Sequence, residues 1–249
     1  MITSKMKTVK ADLSTLITLT LIMVSTAFTS CEKIKGEGPV ATQERAVQPF
    51  HSVTAGVSGH ITYTVSPSYK VELQAQKNIL DILETFVSAD ELIIKFKNGV
   101  NVRSHEEIVI NISGPTPGSV SLSGDASFDL PDAIAGDRLR LRVSGSGDIE
   151  VKQASLTDKL EATITGSGNI NVRQGTVKQA DLRISGSGNI DGTGLSALQA
   201  DAEISGSGNI RVKASDKLNA RISGSGSIYY LGTPQVTTSV SGSGSVRPL

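Results

Sequence analysis

Apolar and polar residues alternate along six short stretches in the C-terminal half of the chain, which is the pattern of strands with one buried face. Apolar positions two residues apart make up each stretch: Leu139-Leu141-Val143, Leu160-Ala162-Ile164, Ala180-Leu182-Ile184, Ala200-Ala202-Ile204, Leu218-Ala220-Ile222 and, with one threonine, Val236-Thr238-Val240. Shorter alternating stretches follow at Ile149-Val151, Ile170-Val172, Ile210-Val212 and Ile228-Tyr230, and a third apolar position falls at Leu156, Val177 and Leu195 or Leu198. Each unit is therefore expected to contain two or three short strands.

The hexapeptide Ser-Gly-Ser-Gly-Asn-Ile, or a close variant, separates the first two strands of every unit. Its copies begin at intervals of 21, 20, 20, 18 and 18 residues, at Ser144, Thr165, Ser185, Ser205, Ser223 and Ser241. A period of this size indicates a repeat architecture, and the framework of a leucine-rich repeat is absent. Since one such unit cannot bury its apolar face alone, stacked units must share a core. The sequence predicts an all-β fold, a right-handed parallel β-helix (solenoid) with coils of about 20 residues.

The turn residues support stacked coils. Two glycines per turn permit a sharp corner, and we expect a positive φ at a central glycine such as Gly188. The fifth residue of each hexapeptide should lie above its counterpart in the next coil, as asparagines do in stacked sheets. The expected turn ladder consists of Asp148, Asn169, Asn189, Asn209, Ser227 and Ser245.

The region preceding the regular repeats is related but degenerate. Strands are predicted at 51–57, 60–65, 70–75, 91–97 and 107–113. A short helix is predicted in the segment Asn78–Leu83, where apolar residues lie three and four apart, and it would cap the blunt N-terminal end of the solenoid. We therefore expect a single domain over residues 50–249, with degenerate coils at 50–122 and regular coils at 123–249.

Residues 1–31 resemble a bacterial lipoprotein signal peptide and are excluded from the fold. Three lysines precede an apolar run from Leu13 to Phe28, and Cys31, the only cysteine, follows where such proteins carry their lipid. The alternative is an ordinary secretory signal with an incidental cysteine. Lipid on Cys31 would anchor an exported protein in the bacterial envelope, in the outer membrane, with residues 32–49 as a tether.

The charge balance and the aromatic content argue against several partner classes. Lysine plus arginine equals aspartate plus glutamate at 24 each, so no positive field attracts nucleic acid. Tryptophan is absent and aromatic residues make up 4% of the chain, which weakens the case for a carbohydrate or a single-stranded nucleic acid bound by stacking on exposed aromatic rings. Tyr229 and Tyr230 are adjacent on a predicted strand, so one of them points outward. Tyr229 is the candidate partner contact, and the alternative is that the pair fills a tapering last coil.

The glycine-rich turns do not predict a cofactor or a metal site. Dinucleotide-binding loops need a third glycine and a following helix, whereas a strand follows each turn here. Calcium-binding nonapeptide repeats need an aspartate in each copy, and only Asp148 is acidic at that position. The three histidines, His51, His60 and His105, lack metal-ligand spacing. We therefore expect neither a cofactor nor a metal.

One column of carboxylates deserves comparison with β-helical enzymes that cleave polysaccharides. Asp181 and Asp201 are predicted to stack on the outer surface with Glu161 nearby, and paired carboxylates are what such chemistry needs. Arg140 and Arg183 lie close in the same pattern. The competing interpretation is a solvated, charge-balanced face.

The motifs together resemble the bacterial adhesin family called the head GIN domain, formerly a family of unknown function. The resemblance covers about residues 46–249 and lies in Phe50-His51-Ser52-Val53, Val57-Ser58-Gly59-His60-Ile61, Asn78-Ile79-Leu80 and the serial turns. The resemblance implies a lipid-anchored or secreted protein of Bacteroidota with a β-helical body. The resemblance implies no catalytic residues and no defined ligand.

Three functions follow in order of preference. The first is a noncatalytic envelope lipoprotein that binds a glycan or a protein partner, and it rests on an anchored scaffold without catalytic residues. The alternative is a self-assembling structural unit, because no helix after Val246 caps the last coil, although Pro234 and Pro248 would blunt its edge. A polysaccharide-active enzyme is the distant third.

Overall fold

The computed structural model describes residues 32–249, and about 71% of these residues lie in β-strands. The N-terminal part contains β1 (Glu32–Lys35), β2 (Val40–Arg45), β3 (Ser52–Gly56), β4 (His60–Val65), β5 (Lys70–Gln76), the helical turn α1 (Lys77–Leu80), β6 (Leu83–Ser88), β7 (Glu91–Phe96), β8 (Val100–Ser104) and β9 (Val109–Gly114). The regular part contains β10 (Ser119–Leu122), β11 (Ser127–Val143), β12 (Asp148–Ile164), β13 (Asn169–Val172), β14 (Gly175–Gly186), β15 (Asn189–Gly206), β16 (Asn209–Gly224), β17 (Ser227–Leu231), β18 (Gln235–Gly242) and β19 (Ser245–Pro248).

Successive coils stack in parallel and form a β-solenoid of about six turns, which confirms the predicted parallel repeat fold. Strands before the hexapeptide turn form the first side, strands after it form the second side, and the middle segments of β11, β12, β14 and β15 form a third side. The register aligns every hexapeptide with the next, so that Ser185, Ser205 and Ser223 are direct partners. The handedness of the solenoid stays a prediction.

The predicted inward columns form the core. In the first five copies of the alternating stretch, every apolar residue from Leu139 to Ile222 is buried. On the third side the residue that faces inward is Leu195, whereas Leu198 is 46% exposed. The sixth copy differs, since Val240 is 44% exposed because no further strand of residues 32–249 packs over it.

The two glycines of the turn between β14 and β15 show two different constraints. Gly186, the first glycine of its turn, has a φ of 144°, a conformation that side chains with a Cβ rarely adopt. The expected positive φ at Gly188 is wrong, because that glycine is not among the residues with positive φ. A Cβ at Gly188 would instead overlap the carbonyl oxygen of Gly168 in the preceding coil. The second glycine is therefore required by the close approach of neighbouring coils.

The first coil in the chain is not the first in the stack. The coil β3–β4 lies between β7 and β10 on one side and between β9 and β11 on the other. After β4 the chain reverses through β5, α1 and β6 and then returns in parallel as β7, β8 and β9. All five strands predicted for this region are present within two residues of their expected bounds.

Antiparallel strands close the N-terminal end of the core. β2 pairs with β5, β5 pairs with β9, and β6 pairs with β7. The single helical turn α1 joins β5 to β6 and buries Ile79 and Leu80. The helix expected over Asn78–Leu83 is thus reduced to one turn, and β6 begins at Leu83. Within residues 32–249 no helix has the length and apolar character needed to cross a membrane.

The segment expected to be a tether contains two paired strands. β1 pairs in parallel with β8, and β2 pairs with β5. The guanidinium group of Arg45 donates to the backbone oxygens of Leu83 at 2.6 Å and Leu80 at 2.9 Å. The Asn78 side chain also bonds to the backbone of Lys35 and Glu37, and Ile34 and Val47 pack partly against the core. β2 itself has no alternating buried face, so its sequence carries no strand pattern. The signal peptide and Cys31 lie outside the described residues.

Candidate functional site

The expected turn ladder is a continuous chain of hydrogen bonds along the stack. The Oδ1 atom of Asp148 accepts from the backbone N–H of Asn169 at 2.9 Å and from its side-chain amide at 2.7 Å. Asn189 donates to Asn169, and Asn209 donates to Asn189, each at 3.0 Å. The backbone N–H of Ser227 then donates to Asn209 at 3.3 Å. Because each amide oxygen already has a donor from the next coil, the geometry of the ladder stabilises the scaffold.

The three carboxylates predicted to stack are register partners on the first side. Glu161 lies opposite Asp181, and Asp181 lies opposite Asp201. Asp181 is 7% exposed, and its Oδ2 atom contacts Lys159 Nζ at 3.2 Å and an Arg183 nitrogen at 3.1 Å. The three carboxylates are thus stacked as expected, but the most buried of them, Asp181, forms salt bridges with Lys159 and Arg183.

Glu161 is poorly suited to donate a proton at neutral pH. Arg140 donates a hydrogen bond from Nε to Glu161 Oε2 at 2.6 Å, and this contact holds the pKa of Glu161 below its ordinary value. Lys159 Nζ lies 3.4 Å from the other carboxylate oxygen. A glycosidic general acid needs a raised pKa instead. The contacts of this column therefore favour a charge-balanced face over catalysis.

A groove of about 610 Å³ lies where the third side begins in β11. The coils on the N-terminal side of β11 have no third side. The loop Thr116–Gly118 and His51 therefore line the groove where that side would otherwise continue. Arg138 in the groove pairs with Asp158 at 2.6 Å, and Arg140 pairs with Glu161. The charges of this groove are therefore largely neutralised by its own residues.

The histidines do not converge. His60 contacts Ser127 Oγ at 2.8 Å and Asp129 at 3.4 Å, whereas His105 Nδ1 contacts the backbone oxygen of Glu106 at 2.6 Å. Among residues 32–249 no group of three histidine, cysteine, aspartate or glutamate side chains is placed to hold a metal ion.

Tyr229 lies on the outer surface of the second side between two arginines. It is the register partner of Arg211 in the preceding strand and of Arg247 in the following strand. The Cζ atoms of Arg211 and Arg247 lie 5.6 Å and 4.9 Å from the centre of the tyrosine ring. Arg247 also donates a hydrogen bond to the Tyr229 hydroxyl at 2.9 Å. Because the two arginines belong to flanking strands, they approach the ring from its two sides along the stack.

We call Arg211, Tyr229 and Arg247 the arginine–tyrosine cluster. Neither arginine has a carboxylate within 4.0 Å among the described residues. The nearest acid in register is Asp191, whose Oδ1 accepts from the backbone N–H and the hydroxyl of Thr193. The hydrogen bond from Arg247 lowers the pKa of Tyr229, so this spot favours negative charge.

The sequence pattern indicated Tyr229 but not its two partners. Each arginine lies 18 residues from the tyrosine, which is the repeat interval in this part of the chain. The period could therefore have identified them. Tyr230, the neighbour on the same strand, is half-buried against the core.

Comparison with known proteins agrees with this architecture. A family model described as "Putative auto-transporter adhesin, head GIN domain" matches residues 49–234. No curated protein matches the chain. The resemblance noted from the turn motifs and the opening strands is therefore supported by a match over most of the 249 residues.

Solved structures share the fold over nearly their whole length. A "putative adhesin" from Bacteroides fragilis has a TM-score of 0.82 at 26% identity, with 87% of this chain and 100% of that chain covered. A "putative lipid binding protein" from Parabacteroides distasonis has a TM-score of 0.72 at 26% identity, with 88% and 100% covered. A "putative adhesin" from Parabacteroides merdae, at 24% identity and a TM-score of 0.69 with 88% and 99% covered, shares the fold. The chain belongs to the head GIN domain family.

Proposed function

We propose that this protein is a noncatalytic, lipid-anchored binding module of the bacterial envelope that recognises a glycan or a protein partner. The observation that carries the proposal is the arginine–tyrosine cluster, in which exposed Arg247 and half-buried Arg211 have no carboxylate partner among the described residues. Among the stacked carboxylates, by contrast, Glu161 and Asp181 pair with cations, and Asp201 accepts hydrogen bonds from the amides of Gln179 and Asn219. Membership in an adhesin family and the likeness to structures named as adhesins support a binding role.

The position of β1 supports anchoring through Cys31. Glu32, the next residue, begins β1, which pairs with β8 in the connection between β7 and β9. Lipid on Cys31 would therefore hold the N-terminal end of the solenoid close to the membrane. Seven strand spacings separate β9 from β17 along the second side, so Tyr229 would lie roughly 34 Å further along the stack. This arrangement would present the arginine–tyrosine cluster away from the lipid.

Anchoring is tested by expressing the full chain in a Bacteroidota host with an alkyne-labelled fatty acid. We expect label on the wild-type protein and none on Cys31→Ser, with the protein in the outer-membrane fraction. Equal labelling of both proteins, or an unlabelled wild type, would contradict the anchor.

Recognition is tested with the full chain, purified in detergent, on an array of glycans and extracellular-matrix proteins. We expect a defined partner that is lost with Tyr229→Ala. Phe86→Ala is the matched control, because Phe86 is another exposed aromatic residue, 40% accessible, on β6 at the opposite end. Binding that is absent, or lost equally in both variants, would contradict the proposed function.

Self-assembly is a second candidate, supported by the exposure of the last coil. Val240 on β18 is 44% exposed, and β18 and β19 each have a strand neighbour on one side only within residues 32–249. Such edges can pair with another copy, although Pro248 in β19 weakens that edge. Light scattering that gives a monomer at every concentration would exclude assembly.

A further inference from the structure

The arginine–tyrosine cluster has the features of a site for an acidic sugar. We infer that the ligand of Arg211, Tyr229 and Arg247 is an acidic carbohydrate, with carboxylate or sulfate groups beside free hydroxyls. The inference rests on the proposed function and deepens it, because it assigns a chemical class to the ligand.

The tyrosine ring cannot serve as an open stacking platform. Arg211 and Arg247 approach it from opposite sides, at 5.6 Å and 4.9 Å from the ring centre. Sugars and bases that bind by stacking need a free ring face. The groups left open to a ligand are the guanidinium N–H donors, which pair best with carboxylate or sulfate oxygens. A neutral sugar would leave both charges without a partner.

The cluster is a fixed array rather than two separate surface arginines. Its members belong to three successive coils, so the strands of Arg211 and Arg247 are about 9.6 Å apart. The ring between them and the hydrogen bond from Arg247 hold the guanidinium groups in place. Lys213, exposed two residues after Arg211, adds a third cation. This array fits a ligand whose negative charges repeat along the stack.

Hydrogen-bonding side chains lie beside the cations on the same strands. Asn209, Ser227 and Ser245 each precede a cluster residue by two positions and so project from the same outer face. The hydroxyls of Ser227 and Ser245 lie 3.1 Å apart. These side chains already bond within the turn ladder, and what remains open beside the cations is the second amide N–H of Asn209 and the remaining lone pairs of the serine hydroxyls. Such groups match a ligand that carries both sugar hydroxyls and negative charge.

A recess of about 340 Å³ adjoins the cluster on the third-side edge. Leu231, two residues after Tyr229, forms one wall, and Asn171, Arg173, Asp191 and Thr193 form the rest. Arg173 pairs with Glu150, and the carboxylate of Asp191 accepts from Thr193. The recess is thus polar, and because the Asp191 carboxylate is hydrogen-bonded but has no salt bridge among the described residues, it suits an uncharged part of a sugar that extends from the cations.

The remainder of the molecule favours a sugar over nucleic acid. Positive and negative side chains balance at 24 each, so no extended positive surface accompanies this local cluster. Four other arginines pair with carboxylates: Arg138, Arg140, Arg173 and Arg183. Arg142 and Arg221 have no salt bridge among the described residues, but unlike the cluster arginines they do not flank an aromatic ring.

The experiment uses the full chain in detergent and measures its affinity for four probes: a heparin oligosaccharide, an oligogalacturonate, neutral dextran and duplex DNA. The test variant carries Arg211→Gln and Arg247→Gln together. The matched control carries Arg142→Gln and Arg221→Gln, because both are exposed first-side arginines without a carboxylate within 4.0 Å and the charge change is the same. Circular dichroism establishes that each variant folds.

We expect one or both acidic oligosaccharides to bind, and the test variant to bind at least about tenfold more weakly while the control is unchanged. Tyr229→Ala should also weaken binding, because the guanidinium groups lose their spacer. Equal loss in the control variant, or dextran or DNA binding as tight as the acidic probes, would overturn the inference. If the array instead finds a neutral glycan or protein that depends on Tyr229 but not on the arginines, the proposed function stands and this inference fails.

Discussion

The contact between successive turns is tested most directly by Gly188→Ala. A Cβ at Gly188 would lie well inside 3.0 Å of the Gly168 carbonyl oxygen and 2.9 Å from Cγ2 of Ile164. Real Cβ atoms essentially never come within 3.0 Å of another atom, so one of the two coils must shift. Both obstacles belong to rigid parts of the structure, a backbone carbonyl and a buried core side chain. The turn therefore cannot absorb the methyl group by a side-chain rotation.

The shift breaks the hydrogen bonds that join the two coils at this point. The N–H of Gly188 donates to Gly166 at 3.3 Å, the N–H of Asn189 donates to Gly168 at 3.3 Å, and the Asn189 amide donates to Asn169 at 3.0 Å. Overpacking costs about 1–3 kcal/mol. Loss of two of these bonds adds about 1 kcal/mol each. We expect Gly188→Ala to lower the free energy of unfolding by about 3–5 kcal/mol.

The measurement is urea unfolding followed by far-ultraviolet circular dichroism and, in parallel, by tyrosine fluorescence. Coincident transitions are required, since repeat proteins can unfold in parts. Gly136→Ala is the control, because a Cβ there meets no heavy atom within 4 Å and the residue is exposed. The control should stay within about 0.5 kcal/mol of wild type. If Gly188→Ala also does so, the close-approach explanation of the second turn glycine is wrong.

Three further predictions use the same unfolding measurement. Asn189→Ala should cost about 1–3 kcal/mol, because it removes one donor and one acceptor from the turn ladder; no loss would mean that water replaces the ladder. Gly192→Ala should be neutral or stabilise by up to about 1 kcal/mol, since its φ is not positive and a Cβ meets only the Arg211 carbonyl at 3.6 Å. Glu161→Gln should lower the free energy of unfolding at pH 7, because the pKa of Glu161 is lowered in the folded protein. The stabilisation by the ionised carboxylate is present above its ordinary pKa of 4.5 and is lost as the pH falls through the lowered folded pKa, so the difference between wild type and variant should disappear in acid. A stability difference that persists unchanged to pH 2 would contradict that pH dependence.

The regular coils could be predicted from sequence because each coil repeats the same constraints. Inward positions such as Leu141 and Ile184 recur with period two, and the hexapeptide marks every corner. The sequence shows that the coil length changes from 20 to 18 residues, but not at which position of the coil the two residues are lost. The register shows that β15 holds three extra residues between Gly192 and Ser196, and that β16 regains one between Ala214 and Lys217, which leaves the net difference of two. A count of residues cannot assign such a bulge to one corner, because either end of the third side could absorb it.

The N-terminal strands were harder to predict for a physical reason. β2 is exposed over nearly its whole length and has no apolar face to alternate. Its place depends on backbone pairing with β5 and on Arg45, which lies far in sequence from the carbonyls it contacts. The reversal that puts β7 and β9 beneath the first coil is likewise a long-range pairing. Local patterns identify strands but carry no information on such an order of stacking.

The arginine–tyrosine cluster shows how function can be distinguished from scaffold in a solenoid. Along the turn ladder the residue changes only among small polar types, and each side chain bonds to its neighbour. The next outward column changes sharply in character, from Glu150 and Asp191 to Arg211, Tyr229 and Arg247. A column that only stabilised the stack would alternate charges or keep paired amides, since adjacent cations repel. Here two arginines sit two coils apart with an aromatic ring between them. Asp191 is the register partner of Arg211, but its Oδ1 accepts from Thr193, and neither arginine has a carboxylate within 4.0 Å among the described residues. The guanidinium donors therefore stay available to a ligand.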